Sequence, residues 1–190
     1  MKKYSIIYAD PPWNFKSYDD KTSLRSVKHK YKTMKTQNIC DLDVSKIAER
    51  DCILFIWGTW PRLPDCLETI KAWGFKYKTV GFLWVKINKK ALSTFMGGGY
   101  WTRSNTEYCL IATKGHPKRI NKSIRQLVFA RIREHSRKPD CVRERIVGLV
   151  GDLPRVELFA TEDVEGWESV GLNVNGKTVE SFLEGGIYGS

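Results

Sequence analysis

The chain has 190 residues, 42% of them apolar and 28% charged, and 32 lysines and arginines against 21 aspartates and glutamates leave a net charge of +11. That length suits one globular domain with a real core, and 7 Trp, 8 Tyr and 8 Phe exclude a chain disordered throughout. No apolar run is long enough for a membrane-spanning helix, and no secretory pattern follows Met1, so a cytoplasmic location is expected.

In chain order, residues 5–9 form a β-prone run that stops at Asp10-Pro11-Pro12-Trp13, where two prolines forbid strand and helix interior alike. Residues 15–37 lack apolar periodicity and are rich in Lys, Ser and Asp, which predicts a long loop. Residues 44–49 predict a short helix and residues 52–57 a strand. A helix follows over residues 64–73, opened by Pro64 and closed by Gly74, with Leu67, Ile70 and Trp73 on one face. Residues 75–85 return as a strand, and Gly97-Gly98-Gly99 marks a hinge or flexible loop.

Residues 107–113 and 126–132 predict two more strands, the second placing Leu127, Phe129 and Arg131 on one side. Pro139 begins a helix carrying Val142, Ile146, Leu149 and Val150, and residues 156–160 predict a last buried strand. Strands alternating with helices indicate an α/β fold with a mostly parallel sheet. The expected organisation is one domain over residues 1–175 and a tail over 176–190. Five cysteines (Cys40, Cys52, Cys66, Cys109, Cys141) form no C-x-x-C pair and read as reduced thiols. The three histidines are isolated, so neither a zinc site nor any other metal is expected.

The positive charge is uneven. Residues 21–40 carry six basic side chains and no acid, and residues 114–145 carry eleven against three acids, a net of +8. The last forty residues carry eight acids against Arg155 and Lys177, a net of −6. Such asymmetry suggests one surface that meets a polyanion, while solvated lysines that aid solubility are the plainer reading.

The chemistry concentrates at residues 10–13. An exocyclic amine on a nucleobase is a poor nucleophile because its lone pair is delocalised into the ring. A carboxylate and a backbone carbonyl that accept both amine hydrogens help to localise that pair, and Asp10 and Pro11 supply them, with Pro12 fixing the carbonyl's direction. Trp13 offers a face on which an extruded base can stack. A rigid turn with Trp13 as a core anchor is the other reading of the same residues.

Several ordered blocks accompany this tetrapeptide: Leu54-Phe55-Ile56-Trp57, Gly81-Phe82-Leu83-Trp84-Val85-Lys86, Gly99-Tyr100-Trp101-Thr102-Arg103-Ser104-Asn105-Thr106-Glu107, Glu134-His135-Ser136-Arg137-Lys138-Pro139-Asp140, Glu157-Leu158-Phe159-Ala160, and Gly166-Trp167 with Gly171. With them the chain resembles the MT-A (seventy-kilodalton subunit) family of adenine N6 methyltransferases, in particular its small bacterial and phage DNA-modifying members. The resemblance implies a Rossmann-like sheet with helices on both faces, permuted so that the catalytic motif precedes the cofactor strand, and S-adenosylmethionine as cofactor. It implies catalytic roles for Asp10, Pro11, Pro12 and Trp13, and cofactor contacts from Tyr8, Ala9, Asp10, Lys138 and Phe159. It places Tyr31, Trp84, Lys86, Trp101, Arg103, Asn105 and Glu107 on the substrate side.

Two departures bear on the cofactor. Thr161 stands where relatives commonly have Arg, and Leu172-Asn173 follows Gly171 where they often have Asn and an acidic or amide residue; Asn173 and Asn175 are candidates to compensate. The expected partner is DNA, or RNA as the alternative, gripped by the basic loop and by residues 114–122. With little room for a separate recognition domain, a homodimer or a partner methyltransferase-like subunit is expected to help hold it. A non-catalytic nucleic-acid-binding subunit is the rival from another class.

Overall fold

The computed structural model describes residues 1–14, 33–99, 101–133 and 137–185. Seven strands form one sheet: β1 (Tyr4–Ala9), β2 (Ala48–Gly58), β3 (Lys76–Ile87), β4 (Thr106–Lys114), β5 (Leu127–Arg131), β6 (Arg155–Leu158) and β7 (Glu168–Val170). Their order is β5-β3-β4-β2-β1-β6-β7, with β4 antiparallel to β2 and β3 and every other neighbouring pair parallel. The helices are α1 (Thr36–Cys40), α2 (Leu63–Ala72), α3 (Cys141–Val150), α4 (Leu172–Asn175) and α5 (Val179–Leu183).

The near-continuous apolar run of β1 suits a central strand covered on both faces. On one face Ile7, Leu54 and Ile56 pack with Ile39 of α1, Cys66 and Ile70 of α2, and Val179 and Leu183 of α5. On the other, Ile6, Tyr8, Phe55 and Trp57 pack with Val142, Ile146 and Val150 of α3. The mostly parallel sheet with helices on both faces is therefore as expected. No helix among the described residues is long and apolar enough to cross a membrane.

Several local expectations are corrected. Only residues 44–47 coil, as a 3-10 turn, and Ala48 already pairs with Tyr4, so ladder pairing overrides a locally helix-tolerant stretch. The last four positions expected as loop, 34–37, include a bridge from Met34 to Trp13 and the start of α1. On α2 the buried face is Cys66, Thr69 and Ile70, continued by Trp73, while Leu67 is exposed. The strand at Glu157 is not the last, because β7 follows it and pairs with it in parallel. Val179 and Leu183 are buried, so the core extends into the segment read as a tail.

Candidate active site

From β1 the chain moves to β2 on one side, whereas from β6 it moves to β7 on the other. The carboxyl ends of adjacent β1 and β6 are thus a topological switch point, where open α/β sheets hold ligands. Asp10 stands at the end of β1, its N–H reaching the Leu158 carbonyl at 3.4 Å, and Phe159 stands at the end of β6. Phe159 has φ of 63°, the one non-glycine positive φ among the described residues, a conformation that disfavours any residue with a Cβ. The chain turns back there; Ala160 donates to the Val170 carbonyl at 2.9 Å, and a Cβ on Gly171 would collide with the Ala160 carbonyl oxygen.

A chain of alternating charges crosses the neighbouring strand ends. Lys138 Nζ donates to Asp10 Oδ2 at 2.7 Å and lies 3.4 Å from Glu107 Oε2, while Lys86 Nζ donates to Glu107 Oε1 at 2.6 Å. Because β4 runs antiparallel, Glu107 at its start lies at the same end of the sheet as Asp10. The Lys138 ammonium sits 5.7 Å from the Trp57 ring centroid, and Trp57 Nε1 donates to the Tyr8 hydroxyl at 2.6 Å. Burial raises the Asp10 carboxyl above its ordinary value, against the lowering field of Lys138. Burial acts the same way on Glu107, but Lys138 and Lys86 outweigh it and hold that carboxyl low. For Lys138 burial disfavours the charge, and Asp10 and Glu107 more than restore it.

The loop presenting Lys138 is held in place. Arg133 donates to the Lys138 carbonyl at 3.1 Å and pairs with Asp140 at 2.7 Å, and Arg137 pairs with Glu162 at 2.6 Å. Below it lies a second charged cluster. Arg143 grips Glu157 of β6 through two bonds of 2.6 and 2.9 Å and reaches Glu162 at 3.2 Å and Asp140 at 3.4 Å. Both partners of the Arg143–Glu157 pair are buried. A cavity of about 680 Å³, walled in part by Arg137, Arg143, Glu162 and Trp167, adjoins this second cluster and is not lined by Asp10. We locate the chemistry by the strand ends instead, since a cavity walled by saturated ion pairs offers no spare reactive group.

The other expected site residues separate into groups. Lys86, Glu107, Lys138 and Asp10 come together as described. Trp13 does not present a stacking face: it is 5% exposed, and its indole N–H donates to the Trp57 carbonyl at 2.9 Å, which makes it a core anchor. Its own backbone N–H donates to the Pro11 carbonyl at 2.8 Å, leaving that oxygen one further lone pair. Trp84 is also core, 4% exposed and bonded to the Ala130 carbonyl at 2.9 Å. Tyr8 and Ala9 are buried beneath the strand end.

Trp101 is 92% exposed, Arg103 is exposed, and the Asn105 carbonyl accepts from the Lys86 N–H at 2.9 Å. Thr161 and Asn173 are exposed, and Asn175 bonds the Ser169 carbonyl at 2.9 Å. Tyr31 and most of the basic segment 21–40 lie outside the described residues.

The expected grip by residues 114–122 is corrected. Lys114 pairs with Cys52 at the far end of the sheet, seven residues along β4 from Glu107, on the order of 24 Å away. Arg133, Arg137, Lys138 and Arg143, four of the eleven basic residues in 114–145, are engaged in ion pairs. Sequence reasoning missed Arg143, Glu157 and Trp57; their only signal was a charged residue inside an apolar run, as at Glu157.

A central parallel sheet with one antiparallel strand, helices on both faces and an acidic group at the switch point defines a Rossmann-like methyltransferase fold. The chain belongs to the MT-A70 family, whose pattern it matches over residues 4–173. It is 34% identical over 203 residues to the Type II methyltransferase M.MunI of Mycoplasma sp, covering 98% of this chain and 84% of that protein. It is 29% identical over 177 residues to an N(6)-adenosine-methyltransferase MT-A70-like protein of Arabidopsis thaliana, covering 91% of this chain and 24% of that protein. The human N(6)-adenosine-methyltransferase catalytic subunit METTL3 is 26% identical over 180 residues, or 93% of this chain and 29% of its own length. The chain is a methyltransferase of this family.

Proposed function

We propose that the protein transfers a methyl group from S-adenosylmethionine to the 6-amino group of adenine in DNA. The observation that carries this reading is the Asp10 carboxylate at the switch point, bonded to Lys138 through Oδ2 alone and beside a Pro11 carbonyl with one lone pair to spare. Asp10 Oδ1 and the Pro11 carbonyl accept the two amine hydrogens and turn the nitrogen lone pair toward the methyl group. Lys138 keeps Asp10 toward its ionised form, the form that accepts.

The residues fit the cofactor. Lys138 provides an ammonium for a carboxylate, and the turned-back Phe159-Ala160 backbone, with Thr161 exposed just beyond it, borders the β6 side of the crevice. Asn173, exposed on α4 just past β7, is the other cofactor contact we assign. When bound, S-adenosylmethionine supplies an electrophilic methyl group on a sulfonium; the amine gains the methyl and releases one proton to solvent.

DNA is favoured by likeness to the Mycoplasma Type II methyltransferase, which runs nearly end to end in both chains. RNA is the second reading, favoured by the plant and animal relatives, of which this chain spans about a quarter. Transfer of labelled methyl groups to DNA and RNA of the same sequence, followed by digestion to nucleosides, tests both. The expected product is N6-methyladenine in DNA. Label confined to RNA or to cytosine, or undiminished turnover by Asp10→Ala, overturns the proposal.

A further inference from the structure

We infer that Trp60 is the aromatic platform against which the extruded adenine stacks, an inference that rests on the methyl-transfer reading and extends its substrate side. Trp60 follows the end of β2 and opens a 3-10 turn, with Pro61 next to it preventing the strand from continuing. Its ring is held on two sides. Nε1 donates to Thr106 Oγ1 at 2.8 Å, and the ring meets Tyr108 edge-on with centroids 5.1 Å apart. Gly58 makes this possible: it pairs with Tyr108, and a Cβ there would collide with the Tyr108 ring.

Despite these restraints Trp60 is 45% exposed, so a fixed, polar-satisfied ring keeps an open apolar surface. Stacking on such a ring loses little conformational freedom.

The placement is what assigns the ligand. Ala9 of β1 pairs with Ile56 of β2, so Gly58 is level with Pro11, and Thr106 directly precedes Glu107, which shares Lys138 with Asp10. Trp60 therefore stands on the β2–β4 side of Asp10, away from Phe159 and β6. A planar heterocycle whose amine meets Asp10 from that side has this ring beside it. Trp13, Trp57 and Trp84, the other tryptophans near this end of β1–β4 that carry named contacts, are buried and cannot take that part.

The test uses a duplex with 2-aminopurine at the target adenine, together with methyl-transfer kinetics on the unmodified duplex. Trp60→Ala should raise KM for DNA by roughly 10-fold or more, with a smaller change in kcat and unchanged affinity for S-adenosylmethionine. Trp60→Phe should recover most of that loss and Trp60→Leu should not. Bound 2-aminopurine should emit more strongly in Trp60→Ala than in the wild type, because the quenching ring is gone. Wild-type kinetics and emission in Trp60→Ala overturn the inference. A Trp60-dependent emission change in a protein that transfers no methyl group would support the platform and overturn the methyl-transfer reading, so the two fail separately.

Discussion

Two charged clusters sit within one segment of chain of each other, and they differ in what they leave unused. Arg143 and Glu157 face each other through both of their ends, with Glu162 and Asp140 closing the remaining directions. The Asp10–Lys138–Glu107–Lys86 chain is also charge-balanced, yet Asp10 retains an oxygen without a hydrogen bond to any described residue. The first cluster lies across β6 and α3; the second lies at strand ends, where the topology opens a crevice. Ion pairing alone therefore does not mark a site. Spare acceptor capacity at a switch point does.

The sharpest way to break this comparison is to remove one partner from each cluster. Arg143→Met leaves Glu157 buried and uncompensated, and unfolding by urea should show a loss of about 3–5 kcal/mol. A loss under about 1 kcal/mol would mean that the cluster is not what fastens α3 to β6. Asp10→Asn should instead leave a folded protein whose methyl transfer falls by roughly 10²–10³-fold, since one pre-aimed charged acceptor is gone. Activity near that of the wild type would place the chemistry elsewhere.

A smaller effect concerns pH. Asp10 is raised by burial and lowered by Lys138, so the acid limb of kcat/KM should lie above the ordinary carboxylate range. Lys138→Met removes the lowering field, and that limb should move to still higher pH at saturating cofactor; movement to lower pH contradicts the assignment. For Glu107, whose folded value is depressed, the stabilisation is present above about pH 4.5 and is lost as pH falls through the folded value. Acid unfolding of Glu107→Gln should accordingly show a weaker pH dependence below that point.

The smallest change is expected at the far end of the sheet. Lys118, Arg119 and Lys122 are exposed, and replacing all three by alanine should alter methylation of a short duplex by less than about 2-fold. A large loss would bring that end of the sheet into contact with the substrate and undo its separation from the site.

The core strands were legible because β1 and the end of β2 are buried on both faces, so their sequences are apolar runs that need no context. β7 was not, since Glu-Ser-Val is three residues without an apolar pattern and exists as a strand only through β6. Residues 48–51 (Ala-Glu-Arg-Asp) suit a helix locally, and only their place beside β1 makes them strand. At the site, Asp10 and Lys138 stood out by residue type, but a sequence does not say which tryptophan is covered. Trp13 and Trp60 are both aromatic residues near strand ends; one fills the core and the other does not.

By itself, then, the sequence determined the size and class of the domain, the carboxylate-proline turn and the excess of positive charge. Those are properties of residues and near neighbours, set by side-chain chemistry and by the backbone limits of proline. The tertiary structure alone decided which charges are free and where they lie. Lys138, Asp10 and Glu107 are far apart in the chain and meet because β4 reverses direction; the same reversal carries Lys114 and the lysines after it to the opposite end. Strand direction is settled by long-range pairing, and no local pattern of residues encodes it.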